Sequence, residues 1–191
     1  MVAQAFQLTE EDFRIFTDFK PGIRFVDIMP VLKDDYKFRE TIKVMAEGIR
    51  QRHPEGVDYI AALELRGVPF AAPLAYELCC GLVIIRKPGK LLADAVEDGA
   101  RVVIVDDLLA LGGTLSAACR LLRELKAKIL SASLSLRSPV PLAGNIQKAF
   151  PEVPVNSVMN FYLPPRTLKR LQLNEVSLDT KCGNKLPASV V

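Results

Sequence analysis

Two neighbouring carboxylates, Asp106 and Asp107, close the short β-branched run Val102, Val103, Ile104 and Val105. Such a run, apolar on both faces, suits a buried parallel strand. Leu108, Leu109, Ala110 and Leu111 follow, then Gly112, Gly113 and Thr114. Beyond the glycines, Leu115, Ala118, Cys119, Leu122 and Leu125 recur with a helical period. The unit is therefore strand, acidic pair, glycine turn, helix. The carboxyl edge of a parallel sheet is where ligands bind. Glycines let a backbone approach a bulky anion, and the free N–H groups of a helix start can cradle a phosphate.

The acidic pair narrows the choice of phosphate ligand. No lysine follows the glycines, as a Walker loop would need, and the three spaced glycines of a dinucleotide fingerprint are missing. Carboxylates beside a phosphate cradle suit a sugar phosphate: Asp106 and Asp107 can accept from two ribose hydroxyls while Ala110–Thr114 hold the 5′-phosphate. The plainer alternative is a buried strand whose acids cap the next helix. The ordered pattern resembles the phosphoribosyl-pyrophosphate motif of type I phosphoribosyltransferases.

The elements that must position these residues alternate along the chain. Thr9 reads as the N-cap of a short helix to about Phe19, ended by Lys20-Pro21-Gly22. Ile23–Ile28 is extended, and a helix runs from about Tyr36 to Arg52 on Phe38, Ile42, Met45 and Ile49. Strands are expected at 57–63, 82–85, 129–136 and 153–159, with helices at 69–78 and 142–150. This is an α/β chain with a mainly parallel central sheet flanked by helices. Residues 1–163 read as one domain and 164–191 as a partly disordered C-terminal extension.

With 191 residues, half of them hydrophobic and 25% charged, the chain has the composition of a globular enzyme. Its net charge of +3 is spread without a basic block, so nucleic acid is not implied. No long apolar run or signal peptide is present, which leads us to expect a cytoplasmic protein with no membrane partner. Cys79, Cys80, Cys119 and Cys182 have no metal-ligand spacing, and His53 is the only histidine. A protein-held metal or a His-based triad is not expected.

Four separated motifs make the resemblance more specific, and by them the chain is similar to the adenine phosphoribosyltransferases. Pro21-Gly22-Ile23-Arg24-Phe25-Val26-Asp27-Ile28 resembles that family's base-binding segment. Asp58-Tyr59-Ile60-Ala61 through Arg66-Gly67 resembles its pyrophosphate loop. Ile85-Arg86-Lys87-Pro88-Gly89-Lys90-Leu91 resembles the segment before its mobile loop, and Val105 through Thr114 its sugar-phosphate motif. The resemblance implies a small N-terminal hood over the sheet, a homodimer, and conversion of adenine and phosphoribosyl pyrophosphate to AMP and pyrophosphate, a step of purine salvage. It assigns Arg24 and Val26 to the base and Asp106 and Asp107 to the ribose and the catalytic centre. Arg66, Lys87 and Lys90 fall to pyrophosphate, with Arg86 as a further cation. Mg²⁺ is implied, bound mainly through the substrate's pyrophosphate.

The chain departs from the family pattern in four places. Leu111 stands where the phosphate loop has Thr, and a hydroxyl bonded to a charged phosphate is worth about 1.5–3 kcal/mol. Leu65 replaces a Ser. Val26 replaces an Arg, with Arg24 expected on the same side of the strand. Leu91–Ala100 is too short for the family's mobile loop, and Glu97 or Asp98 would be a poor substitute for its glutamate. Two readings stay open: an enzyme of reduced activity, or a non-catalytic protein of this fold that binds a nucleotide or a protein partner.

Overall fold

A computed structural model describes residues 6–20, 23–86, 96–109, 112–137, 146 and 148–160. Two sheets form. The smaller is an antiparallel pair, β1 (Arg14–Lys20) with β2 (Ile23–Asp27), in which Ile15 faces Val26 and Phe16 faces Phe25. This pair is the hood. The larger is a five-stranded parallel sheet of β3 (Tyr59–Leu63), β4 (Gly81–Ile85), β5 (Arg101–Leu109), β6 (Lys128–Arg137) and β7 (Val155–Asn160), in the order β4-β3-β5-β6-β7.

Helices cover both faces, as an all-parallel sheet requires. On one face lie α1 (Met29–Lys33), α2 (Asp35–Arg52) and α3 (Val68–Glu77). Their Val31, Met45, Ile49, Phe70 and Leu74 pack with Ile60, Val103 and Val105. On the other face α4 (Gly113–Glu124) sets Leu115, Cys119 and Leu122 against Val102, Ile104 and Leu134, with Ile146 and Phe150 beside them. The spacing of Thr41, Ile42, Met45, Ala46 and Ile49, all buried, gives α2 one apolar stripe, and Asp34 caps it by accepting from Lys37 N.

One expected element is corrected. The helix from Thr9 is only a 3-10 turn at Glu10–Asp12, where Thr9 N donates to Asp12 Oδ2 at 2.6 Å. From Arg14 the chain is strand. Phe13 is buried, Arg14 exposed, Ile15 half-buried and Phe16 43% exposed, a period of two that pairing with β2 satisfies. The acidic start overstated the helix, because the partner strand outweighs a cap. Of the expected helix at 142–150, positions 146, 148 and 149 are described and helical, while the extension 164–191 lies outside the described residues.

Candidate active site

The chain passes from β3 outward to β4, then back across β3 to β5. That reversal lies between β3 and β5, and ligands of open α/β sheets sit beyond the carboxyl ends of strands at such a point. Two segments meet there. After β3 come Glu64, Leu65, Arg66 and Gly67, with Glu64 N donating to Ile85 O at 3.0 Å. Gly67 N returns to Leu63 O at 3.0 Å. An added Cβ at Gly67 would stand 2.5 Å from Val105 O and 2.7 Å from Leu63 O, so only glycine lets this turn lie against β5.

The second segment is the end of β5 and the start of α4. Gly112, at φ +78°, makes the left-handed turn into the helix, and its carbonyl accepts from Ser116 N at 2.8 Å. Among the described residues, nothing lies within 4 Å of where a Gly113 Cβ would be, and the helix start opens onto a cavity. Around that space Arg66, Asp106, Asp107, Gly112, Gly113 and Thr114 line one cavity of about 390 Å³. A neighbouring apolar hollow of about 210 Å³, under β2 and α1, is lined by Val26, Met29, Pro69 and, shared with the first, Leu65 and Arg66.

The two carboxylates are not equivalent, because neighbours on a strand point to opposite faces. Asp106 follows Val105 and pairs in register with Leu134, on the α4 side. Its Oδ1 accepts from Asp107 N at 2.9 Å. Burial first, and then the adjoining Asp107 carboxylate, push its pKa up to about 7. Asp107 is 2% exposed and faces the α3 side. There Arg66 Nη1 lies 3.2 Å from its Oδ2, near enough for an ion pair but not aligned as a hydrogen bond. The expectation was that both acids face ligand rather than core; the Asp107 side chain is enclosed.

The other expected residues either lie outside the described residues or are placed elsewhere. Lys87, Lys90, Ala110 and Leu111 lie outside the described residues. Arg24 lies in β2, but its side chain is likewise outside the description, while Val26 is 7% exposed and packed in the core beside the smaller hollow. Arg86 Nε is 3.9 Å from Glu64 Oε1 at the rim. Glu97 and Asp98 are at the opposite, amino edge of the sheet: Tyr59 OH donates to Glu97 Oε2 at 2.5 Å, and Lys126 Nζ to Asp98 Oδ2 at 2.8 Å. His53 Nε2 lies 2.9 Å from Ser131 Oγ. Among the described cysteines Cys79 is exposed, Cys80 half-buried and Cys119 buried.

Sequence reasoning missed Ser135, whose hydroxyl donates to the Asp107 carbonyl at 2.6 Å and ties β6 to the site. The signal was present, because Ser131, Ser133 and Ser135 recur every second residue and all three are buried. It also missed that Leu65 would be 74% exposed at the mouth of both hollows.

Comparison with known proteins matches this arrangement to a family. The profile of the phosphoribosyl transferase domain family covers residues 32–159. Human adenine phosphoribosyltransferase is 42% identical over 182 residues, taking in 84% of this chain and 99% of the human protein. The chain belongs to the adenine phosphoribosyltransferase family. Two solved members of that family have the same fold. The Thermoanaerobacter pseudethanolicus protein superposes with a TM-score of 0.72 at 39% identity, over 80% of this chain and 97% of its own. The Saccharomyces cerevisiae protein, solved with an imino-altritol bisphosphate and adenine, gives 0.69 at 28%, over 78% and 95%. Among the described residues, no helix is long and apolar enough to cross a membrane.

Proposed function

We propose that the protein binds AMP and phosphoribosyl pyrophosphate in the cavity at the β3–β5 edge and transfers the phosphoribosyl group to adenine slowly. The convergence of Arg66, Asp106 and the open Gly112–Thr114 helix start on one cavity carries this reading. The exposed N–H groups from Gly113 onward would take the 5′-phosphate. Asp106 would accept from a ribose hydroxyl and, when ionised, oppose the positive charge that develops on the ring as pyrophosphate leaves. Arg66, with Lys87 and Lys90 by family resemblance, would hold the diphosphate. The apolar hollow beside Val26 would receive the flat base, with Arg24 nearby on the same strand.

No three metal-ligating side chains converge among the described residues. By family resemblance Mg²⁺ would be carried mainly on the diphosphate, and Asp106, a carboxylate whose raised pKa a cation would bring down, would be the side chain nearest to hand for it. When bound, it would neutralise charge on the leaving group. Carboxylate and arginine would orient the substrate around it.

Reduced activity is supported by chain length. Leu91–Ala100 is too short for the family's mobile loop, and residues 87–95 lie outside the described residues. A site without that loop would stay open, and an open site weakens the electrostatic terms of the reaction. The human alignment runs over 182 residues and takes in 84% of these 191, so some human residues have no counterpart here. The exposed Leu65 favours the second reading, a nucleotide-binding protein without turnover.

Calorimetry with phosphoribosyl pyrophosphate and Mg²⁺, then with AMP, followed by an assay of AMP formation from adenine, separates the readings. Binding with slow turnover is expected. Binding without turnover selects the non-catalytic protein, and no binding of either ligand removes the site assignment. Assembly as a homodimer remains a proposal from the family. Phe70 is 1% exposed and packs edge-on against Phe38, so Tyr76 and Leu82 are the exposed large apolar side chains that α3 and β4 offer to such a partner.

A further inference from the structure

The enclosed Asp107 carboxylate lies against Arg66 in the wall of the cavity. We propose that Asp107 is a positioning residue that acts through Arg66, keeping the guanidinium partly neutralised so that bare pyrophosphate binds weakly and leaves readily. This inference rests on the reading of the cavity given above.

Three observations carry it. The Asp107 side chain is 3% exposed and that of Arg66 is 51% exposed, so the acid is fixed in the protein while the cation reaches the solvent. Their closest approach, Nη1 to Oδ2 at 3.2 Å, is not aligned as a hydrogen bond, and Oδ2 has no hydrogen-bond partner among the described residues. Both residues line the same cavity, with Arg66 also lining the apolar hollow beside it.

A buried carboxylate stripped of its counter-ion is costly, so Arg66 cannot leave Asp107 freely to follow an anion. A diphosphate reaching Arg66 would also meet the Asp107 charge a few ångströms behind the guanidinium, at the reduced dielectric of a partly enclosed site. Both effects oppose a ligand held by Arg66 alone. AMP held at Gly112–Thr114 does not use Arg66 and escapes most of the penalty. Phosphoribosyl pyrophosphate has the phosphate cradle to help it, whereas released pyrophosphate does not. Asp107 thereby favours departure of the product over retention.

The test is titration of wild type, Asp107→Asn, Arg66→Gln and the double variant with sodium pyrophosphate in chelator, and separately with AMP, with thermal melting to confirm that each is folded. Asp107→Asn should tighten pyrophosphate about tenfold, move AMP affinity less than threefold, and lose the whole gain when Arg66→Gln is added. A purely structural role for Asp107 would weaken both ligands instead. Unchanged or weaker pyrophosphate binding in Asp107→Asn, with AMP still bound, overturns the proposal while leaving the cavity assignment intact. If wild type binds no AMP, the cavity assignment itself fails. Should Asp107→Asn not fold, Asp107→Ser, which also removes the charge, must show the same opposite responses of the two ligands.

Discussion

At the scale of the residue, the site sets two adjacent carboxylates in different surroundings. Asp106 carries a pKa raised to about 7, by burial before repulsion from Asp107. A carboxyl raised above its ordinary 3.8 binds its proton more tightly in the folded state. Stability therefore falls as pH rises from about 3.8 to about 7, and the full cost remains above that. Asp106→Asn should melt higher than wild type at pH 8, with the gap closing towards pH 4. If the ionised form receives the ribose hydroxyl, AMP affinity in wild type should rise through neutral pH and become flat in the variant. Melting curves and AMP titrations across that range check both; a gap that widens towards acid would show that the carboxyl is not held protonated.

At the scale of the element, the two glycine turns do different work. Gly67→Ala would drive a methyl into the carbonyls of Val105 and Leu63, backbone atoms that cannot swing away. A loss of about 3 kcal/mol is expected, at the upper end of overpacking costs. Gly113→Ala meets nothing within 4 Å among the described residues and should leave denaturant stability nearly unchanged, yet weaken AMP binding if that helix start is the phosphate cradle. Equal AMP affinity in Gly113→Ala and wild type would point the phosphate elsewhere. The connection from β4 to β5 gives a further prediction. Inserting a loop of family length, with its glutamate, between Lys90 and Arg101 should raise turnover far more than it changes AMP affinity. A folded, AMP-binding graft that still makes no AMP would shift suspicion to Leu65 and Val26.

For the molecule as a whole, the far edge of the sheet holds the strands in register. Asp58 takes Arg101 N at 2.7 Å, Arg101 Nε at 3.0 Å and Arg101 Nη2 at 2.7 Å, joining the start of β5 to the approach of β3. The Arg101 side chain, followed by its backbone N–H, lowers the Asp58 pKa to about 2. A depressed carboxyl contributes stability above its unfolded value and loses it as pH falls from 3.8 towards about 2. Asp58→Asn should flatten acid unfolding in that window without touching ligand affinity, because the pair is at the opposite end of the strands from the cavity. Urea midpoints at pH 5, 3.5 and 2.5 measure it; an unchanged acid slope would mean the pair contributes nothing to folding.

What the sequence determined by itself was the order of the parts. The β-branched run, the helical stripe and the turn glycines are local signals, and each fell within a few residues of the observed element. The acidic pair and glycine turn carried the reading as a phosphate site because their chemistry depends on near neighbours in the chain. Tertiary structure decided what depends on partners distant in sequence. The segment after Thr9 became strand because β2 lies alongside it. Phe70 went inside because Phe38 meets it. Glu97 fell at the wrong edge to reach the cavity because parallel strands send the chain back to their amino ends before the next begins. The division between Asp106 and Asp107 comes from the alternation of a strand, which is local, and from Arg66 arriving on one side of it, which is not.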